Sequence, residues 1–242
     1  MQNRVAIVTG GSGGIGQSVS ERLAADGMSV LVAYSGGPER ADELVRSITD
    51  KGGSAVAARA DVARPDEVGS LFDTAEAEFG GVDVVVNTAG IMLLSPLAEL
   101  SLEDLDRTYQ VNVRGTFVVS QAAVKRLRPG GALINFSSSV VKLALPTYSA
   151  YVASKAAVDG ITRILAQEVR GRDITVNAVA PGPTATPLFL NGKPQEVVDR
   201  MAAQPPLERL GEPADIAEAV SFLAGPARWV NGQVVYVNGG IA

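Results

Sequence analysis

The stretch Val5-Ala6-Ile7-Val8-Thr9-Gly10-Gly11-Ser12-Gly13-Gly14-Ile15-Gly16 runs from four apolar residues through a turn crowded with glycine, and Gln17 to Ala25 then has helical character. A strand feeding such a turn and a helix suits a bound pyrophosphate. Missing side chains let the backbone come close, and the helix start offers free N–H groups and a partial positive charge. The letters also fit G-x-G-x-x-G from Gly11, and their place between strand and helix gives the match its weight.

Outward from this turn the same unit recurs. Short apolar runs at Val5–Val8, Val30–Ala33, Ala55–Ala58, Val84–Val86, Ala132–Phe136, Thr175–Val179 and Val234–Val237 alternate with helical periods near 15–25, 39–50, 66–79, 102–127, 151–169 and 213–224. Several runs are apolar at every position, as strands covered by helices on both faces require. The alternation predicts one α/β domain over residues 1–242, with a doubly wound, seven-stranded parallel sheet and helices on both faces. Right-handed crossovers would open a ligand crevice at the carboxyl ends of the strands, where their order reverses.

Composition narrows the chemistry. The chain has 242 residues, with 21 basic and 26 acidic side chains and a formal charge of −5. That leaves no positive excess for nucleic acid. There is no cysteine and no histidine, so thiolate nucleophiles, cysteine-based zinc sites and the commonest general base are all excluded. No metal site is expected, and catalysis must use Ser, Tyr, Lys, Asn, Asp or Glu. Met1 to Arg4 leads straight into a short apolar run, and no stretch nears the ~18 apolar residues of a membrane span. These features predict a cytoplasmic protein.

Tyr151-Val152-Ala153-Ser154-Lys155 sets a phenol and an ammonium four residues apart, on one face if the segment is helical. A carbonyl that has received hydride becomes an alkoxide and needs a proton, and a phenol with pKa near ~10 is poorly matched to neutral pH. At about 5 Å and an effective dielectric of about 20, the cation favours phenolate by roughly 3 kcal/mol, moving tyrosine toward ~8. Ser138 lies thirteen positions upstream in Asn135-Phe136-Ser137-Ser138-Ser139, after the fifth strand. Its hydroxyl could hold the substrate oxygen, and spacing alone selects it over Ser137 and Ser139.

The turn T-G-x-x-x-G-x-G at Thr9–Gly16, the Y-x-x-x-K pair and the upstream serine together resemble the short-chain dehydrogenase/reductase family, over essentially the whole chain from Arg4 to Gly240. The resemblance implies a Rossmann fold with a dinucleotide on Gly10, Ser12, Gly13, Gly14, Ile15 and Gly16. It makes Asp61, beside Val62, the adenine contact. Asn87, Ala89 and Gly90 match the N-N-A-G segment, with Thr88 in place of the second asparagine. Tyr151 is implied as acid or base, and Lys155 as the group that binds the nicotinamide ribose and tunes the phenol. Ser138 orients the carbonyl, and Asn112 bends its helix and continues a proton relay. Pro181 and Gly182 resemble the segment facing the nicotinamide amide, with Thr186 or Thr184 as the threonine contact.

The second strand ends Ala33-Tyr34-Ser35-Gly36-Gly37, about 20 residues past the glycine turn, where an acid would accept the ribose hydroxyls of NAD. None stands there. Tyr34 and Ser35, with Arg40 nearby, could accommodate a 2′-phosphate, so NADP(H) is expected and NAD(H) is the alternative.

Ile91–Leu94, Leu143, Leu145, Tyr148 and Leu188–Leu190 are candidate walls of a pocket, with 183–210 as a lid. They suggest an apolar ketone or aldehyde. The readings left open are a carbonyl reductase, a 3-oxoacyl-[acyl-carrier-protein] reductase docking its carrier on Lys125, Arg126, Arg128, Arg170 and Arg172, and an NAD-linked polyol or sugar dehydrogenase resembling the glucose/ribitol type. A noncatalytic dinucleotide-binding regulator has no use for Ser138, Tyr151 and Lys155 together. Relatives imply a homotetramer paired through 102–127 and 151–169.

Overall fold

A computed structural model describes residues 4–242; the leader reading at Met1–Asn3 lies outside them. Seven parallel strands form one sheet: β1 (Val5–Thr9), β2 (Ser29–Tyr34), β3 (Ser54–Arg59), β4 (Val82–Asn87), β5 (Leu127–Phe136), β6 (Thr175–Pro181) and β7 (Val234–Val237). Their order is β3-β2-β1-β4-β5-β6-β7. The order reverses between β1 and β4, which pair directly with Thr9 beside Asn87. A crevice therefore opens above those two strand ends.

The period-2 alternation of strands divides the core. Ala6 and Val8 face one apolar cluster, and Val5 and Ile7 the other. Helices α1 (Gly14–Ala25) and α2 (Glu39–Asp50) cover the first face through Val19, Leu23, Leu44 and Ile48. Helix α3 (Pro65–Phe79) covers the second through Val68, Leu71 and Phe72. With both faces sheathed, all five residues of β1 and all six of β4 are buried, which is why these runs show no polar alternation.

The helical period expected over 102–127 is three pieces: α4 (Leu102–Tyr109), a π-helical turn at Gln110–Arg114, and α5 (Gly115–Arg126). The widened turn has a local cause. Asn112 is buried there, and its amide both accepts from the N–H of Ile91 and donates to its carbonyl, each at 2.9 Å. Holding a neighbouring loop this way competes with the regular ladder. Leu127 begins β5 instead of ending the helix.

Helix α6 (Ser149–Glu168) carries Tyr151 and Lys155. The segment 183–210, expected as loop, contains α7 (Pro187–Leu190) and α8 (Gln195–Ala202). Thr186 caps α7 by accepting from the N–H of Phe189 at 3.3 Å, and Pro187 fits the first helical position. Helix α9 (Pro213–Ala224) leads to β7 and the C-terminus.

Candidate active site

The glycine turn has the shape its letters predict. Gly10 takes φ +62°, a left-handed conformation that side chains resist. A Cβ on Gly16 would lie 2.2 Å from the Gly10 carbonyl oxygen, so the turn closes only with glycine at that place. Gly13 starts α1 with no side-chain cap, and the first bond of that turn runs from the Gln17 N–H to the Gly13 carbonyl. The N–H groups of Gly14, Ile15 and Gly16 therefore precede the helical ladder. This is a cradle for phosphate oxygens.

Thr88, standing where the resemblance expects asparagine, has a definite role. Its hydroxyl donates to the Thr9 carbonyl at 2.5 Å, clasping β4 to the turn after β1. Asn87 is buried and accepts from the Thr9 hydroxyl at 2.8 Å, so it braces the strand end and does not reach the cleft.

The cleft over β1 and β4 is lined by Gly10, Ser12, Gly13, Gly14, Ile15, Gly16, Tyr34, Ser35, Asp61, Val62, Ala89, Gly90 and Thr186. Thirteen residues expected to touch a nucleotide thus share one cavity, drawn from five segments of the chain. Arg40 does not join them. It is exposed on the first turn of α2, whereas Arg59, at the end of β3, and Arg107, on α4, both line the cleft. The signal for Arg59 was available in the strand order, because β3 beside β2 puts its last residue against Tyr34.

Tyr151, Lys155 and Ser138 meet in an adjoining cavity with Pro181, Gly182, Thr184 and Thr186. Ser138 Oγ accepts from the Val140 N–H at 3.5 Å and stands beside the Tyr151 phenol, whose ionised form it favours. Its two neighbours are engaged elsewhere: Ser139 donates to the Ala180 carbonyl at 3.1 Å, and Ser137 points toward Lys155 O and Asp159. Geometry therefore selects the serine that spacing suggested. Lys155 Nζ lies 5.8 Å from the Tyr151 ring centre and donates to the Phe136 carbonyl at 2.9 Å. Asn112 donates to Ser154 Oγ at 3.0 Å, and a side-chain atom on Gly90 would meet both Asn112 Oδ1 and Lys155 Nζ within 3.4 Å. All four expected catalytic residues are neighbours.

The electrostatics correct the expected phenol near 8. Burial pushes Tyr151 up to about 12, against the smaller lowering effect of Ser138. Burial likewise pulls Lys155 down to about 8, opposed by the carboxylate of Asp159. Desolvation outweighs the mutual attraction because both groups lie in the same dry wall and the ammonium is turned toward a carbonyl.

Met92, Leu143, Leu145, Tyr148, Leu188 and Phe189 wall this cavity as expected. Ile91 lines the nucleotide cleft instead, and Leu93, Leu94 and Leu190 line neither. Met201 and Gln204 come from the 183–210 segment expected as a lid, while Val140 and Ile241, from elsewhere in the chain, were not expected. The cavity measures about 130 Å³, the liquid volume of roughly four waters.

None of the residues expected as a basic landing surface lines this cavity. Arg128 sits at the start of β5 and Ser138 just beyond its other end. Arg126 is paired with Asp73 and Glu76, Arg128 with Asp83, and Arg172 donates to the Val124 carbonyl. Among the described residues no cluster of His, Cys, Asp or Glu could hold a metal, and no helix is long and apolar enough to cross a membrane.

Residues 10–242 match the family model described as enoyl-(acyl carrier protein) reductase. A short-chain type dehydrogenase/reductase of Picea abies is 48% identical, the match covering 98% of this chain and 92% of the relative. The chain belongs to the short-chain dehydrogenase/reductase family. As a member of that family it is an oxidoreductase. An NADPH-dependent aldehyde reductase-like protein, chloroplastic, of Arabidopsis thaliana is 42% identical over 99% of this chain and 94% of its own. Among solved short-chain dehydrogenases, one from Burkholderia cenocepacia J2315, in complex with NADP, superposes with a TM-score of 0.93 at 38% identity, covering 100% of this chain and 98% of that one.

Proposed function

We propose that the protein is an NADP(H)-dependent reductase of small, largely apolar aldehydes or ketones. The observation that carries this is the contact of Tyr151 with Ser138, beside Lys155, in the wall of an apolar cavity that opens on the glycine cradle. The reaction adds hydride to the carbonyl carbon and a proton to its oxygen, with NADPH leaving as NADP+. Bound on the cradle, the nucleotide supplies the hydride.

The chain's own groups do the rest. Ser138 and Tyr151 hold the carbonyl oxygen by hydrogen bonds, and Tyr151 gives up its proton as the oxygen gains charge. A phenol held near 12 keeps its proton at neutral pH, which suits an acid in the reducing direction. Lys155 holds positive charge beside the phenol as it becomes phenolate. Asn112 fixes Ser154 and the Ile91 loop around that pair and lies on the path by which the proton is replaced. The segment 183–210 supplies Leu188, Phe189, Met201 and Gln204 to the cavity and acts as its lid.

The absence of an acid after β2 and the NADP-linked relatives support NADP(H) over NAD(H). We also infer assembly through α5 and α6, where Phe117 and Ile164 are 56% and 61% exposed; light scattering that finds a monomer would remove that inference. The functional reading is tested by following NADPH and NADH absorbance against a panel of apolar aldehydes, ketones, acyl thioesters and sugars. Turnover of aldehydes or ketones with NADPH preferred is expected. Equal or better efficiency with NADH, or turnover restricted to sugars, would overturn it.

A further inference from the structure

Resting on the NADP(H) reading, we propose that Arg59, and not Arg40, is the residue that recognises the 2′-phosphate and sets the choice of nucleotide. Arg59 is the last residue of β3 and pairs in register with Tyr34, the last of β2. Its Nε donates to the Ser35 carbonyl at 3.4 Å. That contact folds the guanidinium over the turn after β2, where the ribose edge of a nucleotide on the glycine cradle falls. One N–H is used there, and the remaining four form a fork suited to a phosphate. No carboxylate pairs with Arg59 among the described residues, while ten other basic–acidic contacts are formed. Arg59 lines the cleft with Tyr34, Ser35 and Gly36.

The alternatives fit less well. Arg40 lies outside the cleft, and the first turn of α2 carries Glu39 and Asp42. The Glu39 carboxylate is folded back onto Gly37, where a Cβ would meet its oxygen at 2.3 Å. An anion approaching that helix start meets negative charge first. Arg107 lines the cleft from α4, and the π-helical turn continuing that helix is tied to the segment after β3 by Arg114, which donates to the Ala63 carbonyl at 3.1 Å. That side of the cleft belongs to Asp61 and Val62, away from the end of β2.

The test needs no turnover. Affinities of the nucleotide-free protein for 2′,5′-ADP and for 5′-AMP are measured by calorimetry, for the natural chain and for Arg59→Gln, Arg40→Gln and Arg107→Gln. All three residues are exposed, so each variant is expected to fold, which circular dichroism checks. Arg59→Gln should weaken 2′,5′-ADP by roughly tenfold to a hundredfold, the range of a charge-assisted pair, and leave 5′-AMP within about twofold. Arg40→Gln should keep the preference for 2′,5′-ADP. If Arg59→Gln keeps that preference, or if it is lost instead in Arg40→Gln or Arg107→Gln, the assignment to Arg59 is wrong while the NADP(H) reading stands. If the natural chain binds the two probes equally, the NADP(H) reading falls and takes the assignment with it.

Discussion

The nucleotide cleft and the substrate cavity share Ile15, Gly90 and Thr186, yet they are built in different ways. The cleft is made largely of backbone: glycines that leave room, strand ends in register, and a helix start. The cavity is made of side chains, with Met92, Leu145, Phe189, Met201 and Ile241 converging from five separate segments. A backbone-built site is constrained by steric rules that act within a few residues, and such rules write themselves into the sequence. A side-chain-built site is constrained only in volume and polarity, which many sequences satisfy.

The comparison sharpens when each part is damaged in turn. Gly16→Val puts side-chain atoms where the Gly10 carbonyl stands, 2.2 Å from a Cβ. NADPH affinity in a fluorescence titration is expected to fall roughly a hundredfold, in line with forced overpacking. A pH series probes the wall between the two regions. Burial disfavours the charged form of Lys155 and so lowers its pKa to about 8; the ammonium is lost as pH rises through that value. Reductive kcat/KM should then fall about tenfold per unit above pH 8, and a plateau reaching pH 10 would deny Lys155 that role. Phe189→Ala touches the cavity alone. It should lower kcat/KM for an aromatic aldehyde about tenfold through lost apolar contact, leaving NADPH affinity unchanged. Arg128→Ala, at the far end of the sheet, should cost about 1–2 kcal/mol in denaturant unfolding, since Asp83 loses its paired cation and keeps the Val5 N–H at 2.7 Å and the nearby Arg4 charge. Its turnover should stay within about twofold, acyl-carrier substrates included.

The same distinction explains what could be read from the chain. All seven strands were legible because continuous apolar runs have few alternatives when both faces are covered. Tyr151, Lys155 and Ser138 were legible through their mutual spacing, and Asn112 only through the family resemblance. The π-helical turn was not, because it depends on Asn112 holding the Ile91 backbone across a tertiary contact. Helices α7 and α8 are short and interrupted by Gly192-Lys193-Pro194, which reads as loop. Arg40 was favoured by nearness in sequence to Ser35, whereas β-sheet pairing brings Arg59 there. The phenol's pKa was misjudged because a pairwise attraction can be computed from spacing, and desolvation needs the whole wall.

The measurement that bears most directly on the account is Tyr151→Phe, with NADPH binding and aldehyde reduction followed on the same preparation. Loss of one hydroxyl should lower kcat by about a thousandfold while the dissociation constant for NADPH changes by less than about threefold. Reduction persisting at the natural rate, with nucleotide bound, would contradict the assignment of the proton to that phenol.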